Sequence, residues 1–570
     1  MEPNEILSIK PLKATLPVLP DNLRAPLLRS RVSWLQIAIV LIAGCAHAVS
    51  LAWPFSLGSS LGLQQGQPLW WLQLLALALL VGQLNAVIEA PVNGVNGVNG
   101  VKSWKRAAWL GGLFATAMLC TTFWWLFVSM HIYGGLAAPL TVLAIVLLAA
   151  LLGLYYAAAS SLFVQLAPAS LVGRAVLFAA LWLMAELTRV QLFTGFPWGE
   201  GGYAHVDGWA KPLAALIGVH GLSFAAALVS AGLALAVRKQ NMRWLTSLVV
   251  VLVIAGCSLI AALLPVPEWS DNDAGLNPLT VTLLQGNIPQ DEKFESGTGV
   301  LTALSWYGDQ LQNAKTALVV APETAIPLLP QQLPGNYWQA LALRFSTGQQ
   351  AALIGLPLGD FSTGYANAVV GLKPASLANP AAQPAYRYDK HHLVPFGEFI
   401  PLGFRWFTEM MNIPLGDFNR GAVVQPTFDW MNQRLAPNIC YEDLFGEELG
   451  ARFINPALAP TVFVNVSNIG WFGNTVAIDQ HLHISRMRSL EFNRPMIRAT
   501  NTGATVIIDH RGQVTHSLER HTRGVLVGEV TGQNSMTPYA WWVSRYGLWP
   551  LWIMSLGVVA LALAQVLRRR

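Results

Sequence analysis

Long, nearly uninterrupted apolar runs fill the first half of the chain and its last twenty-odd residues, while the stretch between them alternates short apolar and polar segments. A helix needs about 20 apolar residues to cross the core of a bilayer. On that criterion the runs predict spans near 33–51, 69–88, 107–130, 138–166, 175–193, 212–237, 244–265 and 546–567. The remaining stretch predicts strands at Thr280–Leu284, Ala317–Ala321, Ala351–Gly355, Ala366–Leu372, Thr461–Val466, Thr505–Asp509 and Gly524–Val530. It predicts helices at Gly299–Asn313, Tyr337–Thr347 and Asp479–Asn493. Interleaving of this kind points to an α/β layered domain with helices covering sheets. The expected architecture is therefore a membrane α-helical bundle of eight spans plus an α/β domain. Residues 1–265 hold a tail and seven spans, 266–545 the globular domain, and 546–570 the eighth span and a basic tail.

Composition supports the division. Of 570 residues, 54% are hydrophobic and only 11% charged, against about 25% charged in a typical soluble domain. The formal net charge of +5 comes largely from basic residues flanking the apolar runs, so it reports topology rather than nucleic-acid binding. Lys10, Lys13, Arg24, Arg29 and Arg31 precede the first span; Lys102, Lys105 and Arg106 follow the second; Arg174 follows the fourth. Arg238, Lys239 and Arg243 follow the sixth, and Arg568, Arg569 and Arg570 end the chain, whereas connections one and three carry no Lys or Arg. The positive-inside rule then puts the N-terminus and all these clusters in the cytoplasm and the large domain on the opposite face. The first span, long and without a trustworthy cleavage site, reads as a retained anchor.

Two connections stand out. Residues 91–101 repeat Val-Asn-Gly, a linker with no capacity to form a core. The connection after span five, Phe193 to Tyr203, is aromatic and Gly-rich and lies on the side of the domain. Interfacial anchoring and docking of the domain are both open readings for it.

The chemistry is sharpest at Cys440. The chain has four cysteines, and Cys45, Cys120 and Cys257 lie inside apolar runs. A lone thiol within the polar stretch cannot form a disulfide there. It reads either as an inert core residue or as a nucleophile. Two other reactive groups also follow β-type runs: Glu323 after Leu318-Val319-Val320-Ala321-Pro322, and Lys390 in Tyr386-Arg387-Tyr388-Asp389-Lys390-His391-His392, ahead of Glu398. Together Glu, Lys and Cys supply a base, an oxyanion partner and a nucleophile for acyl transfer. Taken singly, Glu323 also reads as a helix-start carboxylate and Lys390 as a solvated charge.

The wording Pro322-Glu323-Thr324, Tyr388 to Glu398, and Ile439-Cys440-Tyr441-Glu442 resembles the nitrilase (carbon–nitrogen hydrolase) superfamily. With the spans, Gln285 to Gln290 and Phe193 to Trp198, the chain is similar to the apolipoprotein N-acyltransferase family of bacterial inner membranes. The resemblance implies an αββα sandwich of nitrilase type and a Glu323–Lys390–Cys440 triad. It implies that Glu323 takes the thiol proton, that Lys390 and the backbone amide of Tyr441 hold the oxyanion, and that Glu398 and Glu442 position lysine and thiol. The implied reaction is ping-pong. A phospholipid ester acylates Cys440, and the α-amine of a diacylglyceryl-cysteine apolipoprotein then takes the acyl chain. An amidase using water is the alternative.

Both substrates being lipids, an apolar access route is expected, bordered by Trp471, Phe472, Phe196 and Trp198. Phe294 stands where many family members have Trp, which leaves its substrate contact open. Glu491, Arg494, Arg498 and Asn501 read as structural. Asp479, His481 and His483 offer no metal site, since residues two apart on a helix do not share a face. No cofactor is expected, since no nucleotide or phosphate-cradling motif occurs.

Overall fold

The computed structural model of the protein describes residues 32–56, 62–89, 103–238, 276–374, 386–401, 403–405 and 418–569. The expected span at 244–265, the Val-Asn-Gly repeat, the basic N-terminal tail and Cys257 lie outside the described residues.

The membrane part consists of α1 (Trp34–Val49), α2 (Trp70–Glu89), α3 (Ser103–Phe123), α4 (Ala138–Leu166), α5 (Leu171–Gln191) and α6 (Ala214–Arg238). Among the described residues five helical stretches are long and apolar enough to cross a membrane: 70–89, 138–166, 171–194, 211–236 and, at the C-terminal end, 549–567. The helix at 34–49 is apolar but shorter, with 16 residues. Where a single span was expected over 107–130, α3 stops at Phe123 and a π-helical turn, Val128–Tyr133, follows.

The second part is an α/β sandwich. Its elements are β1 (Leu279–Gln285), α7 (Gly299–Asn313), β2 (Leu318–Ala321), α8 (Tyr337–Thr347), β3 (Ala351–Asp360), β4 (Gly364–Leu372), β5 (Tyr386–Asp389), β6 (Phe428–Trp430), β7 (Gln433–Ile439), α9 (Gly446–Gly450) and β8 (Val462–Ser467). After them come α10 (Ala477–Phe492), β9 (Met496–Thr500), β10 (Val506–Ile508), β11 (Val514–Ser517), β12 (Gly524–Val530), α11 (Pro538–Tyr546) and α12 (Trp549–Leu567). They form two six-stranded sheets, ordered β12-β1-β2-β3-β4-β5 and β11-β10-β9-β8-β7-β6. Each has a parallel centre, β1-β2-β3 in one and β7-β8-β9 in the other, with antiparallel strands outside it. Since β5 is antiparallel to β4 and β4 to β3, β5 runs with the central strands. The carboxyl ends of β2 and β5 therefore open toward one end of the sheet, where α/β folds place their chemistry.

Three apolar layers hold the sandwich. Val281, Leu283, Val320 and Leu353 of the first sheet meet Leu435, Val462, Val464 and Ile497 of the second. The outer face of the first sheet packs Val319, Ala321 and Ile354 on Val300, Leu304 and Leu311 of α7 and Leu341 and Phe345 of α8. The outer face of the second sheet is covered by α10, and there the core runs on without a break into the membrane helices.

α10 is consequently buried on both sides, and its polar side chains fasten the two parts. Gln480 Oε1 accepts from the indole N–H groups of Trp125 (3.1 Å) and Trp198 (2.7 Å). His483 Nε2 lies 2.7 Å from the Gly66 carbonyl, Arg486 pairs with Asp207, and Glu491 accepts the Val219 amide at 2.7 Å. The last contact meets α6 beside its kink, where Gly218 sits at φ 66°. A Cβ there would overlap the ring of Tyr539 on α11, so glycine answers both the backbone angle and the close approach.

Replacing Gln480 with Ala should leave two buried indole donors unpaired, at about 1–3 kcal/mol each. The expected result is a lower thermal midpoint, with faster limited proteolysis at the junction between the two parts.

Candidate active site

Four loops that follow strand ends meet at the site. β2 delivers Glu323, β5 delivers Lys390, β7 delivers Cys440, and β8 delivers Ser467 and Asn468. Two of these loops begin in the left-handed backbone region that non-glycine residues avoid: Thr324 has φ 46° and Cys440 φ 51°. Such strain persists only where surrounding bonds over-determine it.

Those bonds are in place. Lys390 Nζ lies 2.9 Å from Glu398 Oε1 and 3.3 Å from Glu323 Oε1. Asn367, in the middle of β4, donates its amide to both of these oxygens, at 2.7 Å to Glu323 and 2.8 Å to Glu398. The outer oxygens are capped by backbone, Glu323 Oε2 by the Asn468 amide and Glu398 Oε2 by the Val394 amide, each at 2.8 Å. Every oxygen of the two buried carboxylates thus has a donor. Burial pushes the Glu323 carboxyl up, but Lys390, Lys293, Asn367 and the Asn468 amide outweigh it and hold the group below the usual range. Burial pulls Lys390 down, yet its two carboxylates hold it above the usual lysine range.

Cys440 opens a 3-10 turn, Cys440–Leu444, directly after β7. Burial and the nearby Glu323 charge push its thiol up to about 12, against the opposing pull of Lys390 and a hydrogen bond with Ser467. The resting thiol is protonated at neutral pH, so it needs a base. Glu323, ionised and within electrostatic reach, is chemically suited to that task.

Glu442 ties the cysteine turn to the lysine loop. Its Oε1 accepts the amides of His391 (2.7 Å) and His392 (3.2 Å), and its Oε2 accepts the Ile439 amide (2.6 Å) and the Tyr388 hydroxyl (2.9 Å). Beneath the turn lies a fully buried charge cluster. Asp443 lies 2.9 Å from His481 Nε2 and 3.3 Å from Arg498 Nη1, and it accepts from Ser485 at 2.5 Å. Arg498 donates to His481 Nδ1 at 2.7 Å, which puts the imidazole proton on Nε2, facing Asp443 and the Cys440 carbonyl (3.2 Å). Arg498 has the structural place expected of it. So do Glu491; Arg494, bonded to the Pro460 and Ser535 carbonyls; and Asn501, paired with the Ile288 backbone. Among the described residues no group of His, Cys, Asp and Glu forms a metal site.

The residues expected to border an access route separate into two kinds. Trp198 is buried and fixed to Gln480, and Phe472 packs with its ring centroid 4.2 Å from that of Trp125, so both belong to the junction. The Trp198 indole is enclosed there, bonded to Gln480 on α10. Phe196 stacks on Tyr441, whose hydroxyl donates to the Gly195 carbonyl at 3.2 Å. Trp471 is partly exposed and meets Tyr133, and Phe294 is 48% exposed. The aromatic loop 193–203 is therefore a docking element. Arg189 donates to its Phe196 and Trp198 carbonyls, and Glu186 accepts its Gly201 amide.

Asn367, Lys293 and Asp443 were given no role from the sequence. Only Asn367 leaves a visible trace, one polar residue interrupting the apolar run of β4.

The sandwich, with Glu323, Lys390 and Cys440 at its strand ends, has the build of a carbon–nitrogen hydrolase, and the Carbon-nitrogen hydrolase family matches residues 280–536. A carbon–nitrogen hydrolase from Helicobacter pylori, 17% identical with a TM-score of 0.32, is covered over 94% of its length by 48% of this chain. The Apolipoprotein N-acyltransferase N-terminal domain matches residues 57–232. An apolipoprotein N-acyltransferase of Verminephrobacter eiseniae is 56% identical over 534 residues, 91% of this chain and 94% of that one. Another, of Ralstonia nicotianae, is 42% identical over 504 residues, 88% and 90% of the two chains. The chain belongs to the apolipoprotein N-acyltransferase family and is an acyltransferase with a membrane-helical part.

Removing Arg498 should leave Asp443 a buried, underpaired charge. Arg498→Met is expected to destabilise the fold by about 3–5 kcal/mol, read from the unfolding midpoint. Adding Asp443→Asn should recover part of the loss.

Proposed function

We propose that the chain transfers an acyl chain from a membrane phospholipid to the N-terminal α-amine of a diacylglyceryl-cysteine apolipoprotein, through a thioester on Cys440. Glu323 takes the thiol proton as the sulfur attacks the lipid ester. Lys390 and the Tyr441 amide face the oxygen that becomes negative in the tetrahedral intermediate, and the lysophospholipid alkoxide leaves with the proton from Glu323. In the second half, the amine attacks the thioester, Glu323 takes the ammonium proton, and the thiol is restored. Glu398 and Glu442 serve as positioning residues.

One observation carries this reading. The strained cysteine turn is joined on one side to the Lys390–Glu323–Glu398 set, through Glu442, and on the other to the membrane helices, through Tyr441 and Gly195. A nucleophile held by both parts suits a substrate whose reacting bond lies at a bilayer. The amidase reading differs only in its acceptor, water.

For topology we propose eight spans, seven before the domain and one after it, with 266–545 on the periplasmic side of the inner membrane. The charge asymmetry of the connections supports this arrangement. Single-cysteine accessibility labelling after residues 100 and 400 should give opposite sides, and the same side for both would defeat it.

Cys440→Ala should abolish the acyl-enzyme while membrane insertion stays intact, and Cys440→Ser should be nearly as inactive because a hydroxyl is far harder to deprotonate. Lys390→Met should slow both half-reactions on the order of a hundredfold or more, and Glu323→Gln should slow thioester formation. Single-turnover assays with and without a diacylated lipopeptide, read by mass spectrometry, check all of these. Thioester turnover by water at the rate seen with the lipopeptide would favour the amidase.

A further inference from the structure

A second lysine stands at the site outside the triad. Lys293 is 2% exposed, although it lies in a charged loop whose Asp291, Glu292 and Glu295 all face solvent. Its ammonium donates to the Glu323 carbonyl at 3.1 Å and to the Thr324 hydroxyl at 2.6 Å. Both acceptors are neutral, and among the described residues Lys293 makes no ion pair. The charges that reach it are those of Glu323 and, once ionised, Cys440. A buried ammonium bonded only to neutral oxygens is costly, and this one sits against the turn that carries the base.

The charge count gives it a purpose. Glu323 and Glu398 contribute two negative charges and Lys390 one positive, so the hydrogen-bonded set alone carries a net charge of −1. Adding Lys293 brings this set to zero. Moving the proton from Sγ to Glu323 conserves the total. The thiolate, and then the oxyanion, therefore form beside a set that is neutral with Lys293 charged and negative without it. In a site screened from water that difference acts directly on an anion being formed. The two bonds also hold Thr324 in its left-handed conformation and so aim the Glu323 side chain.

We infer that Lys293 is a positioning and charge-balancing residue for acyl transfer, tethering the Glu323–Thr324 turn and supplying the positive charge that the Glu323–Lys390–Glu398 set lacks. The inference rests on the reading of Cys440 as the nucleophile.

The test uses the full chain in vesicles of phosphatidylethanolamine and phosphatidylglycerol. It follows single-turnover thioester formation at Cys440, and separately its alkylation by iodoacetamide, both located by mass spectrometry between pH 6 and 9. Burial pulls the Lys293 ammonium down to about 8, so the wild-type acylation rate should fall away above that pH as the charge is lost. Lys293→Met should lower acylation and alkylation at pH 7 at least about tenfold, the effect of one pKa unit on the thiol, and remove the decline above pH 8. Lys293→Arg should restore most of the rate and move the decline beyond pH 9. Thr324→Ala, which loosens the tether and keeps the charge, should lower the rate without moving that decline. The inference is overturned if Lys293→Met acylates at the wild-type rate with an unchanged pH profile, or if Lys293→Arg rescues nothing. Wild-type protein that forms no thioester at all would instead defeat the reading of Cys440.

Discussion

Everything at the site depends on one helix having no free face. Fourteen of the sixteen residues of α10 are buried, because the second sheet covers one side and the membrane helices the other. A helix in that position cannot leave a polar group unbonded without a cost of about 1–3 kcal/mol. Its sequence is nonetheless rich in Asp, Gln, His, Arg, Ser and Glu. Several of its polar side chains become directed fastenings: Gln480 to two tryptophans, Arg486 to Asp207, Glu491 to the kink of α6, His481 to the turn of Cys440. Apolar packing alone would allow the domain to slide on the helices. Directional bonds fix its register, and the turn of Cys440 is one bond away from that register.

The same economy of buried charge governs the reacting groups. Lys390 lies between two carboxylates bridged by Asn367; the carboxylates hold the lysine charged, and the lysine helps to hold Glu323 ionised. For the thiol at rest, burial and Glu323 outweigh the support of Lys390 and Ser467 and push it up to about 12. A permanently ionised thiolate would react with any electrophile that reached it. On the proposed mechanism, a protonated thiol beside an ionised base is ionised only as the acyl carbon approaches, which suits an acyl group to be held for one particular amine.

How much of this was legible follows from which residues carry the order. β12 and the helices α7 and α8 have the predicted bounds, because their apolar positions face a single core with the expected period. β7 was read only as a β-type run ending before Cys440, without bounds: Gln433, Arg434, Pro437 and Asn438 make it look unlike a central strand, yet it pairs with β6 and β8, and Asn438 meets Asn465 across the ladder. β9 was not among the strands that the apolar pattern predicts, since it carries Arg498, whose charge is cancelled by a residue 55 positions away. Glu323, Lys390 and Cys440 were legible because each stands at a strand end inside recognisable wording. Lys293 was not, since Asp-Glu-Lys-Phe-Glu reads as a solvated loop, and only the folded chain turns that one side chain inward.

The junction also explains why the two parts have no independent geometry. Tyr441, the residue after Cys440, bonds the carbonyl of Gly195, and that loop is held in turn by Arg189 and Glu186 of α5. A Cβ on Gly195 would overlap the Val190 carbonyl and crowd Phe445 on the same turn, so only glycine lets the loop approach this closely. The direction of the Tyr441 amide is therefore set by α5 as much as by β7. Separated from its helices, the sandwich would expose the charged outer face of α10 and lose the contact that orients the turn. The membrane part thus contributes one side of the candidate site, through Gly195 and Phe196 against Tyr441.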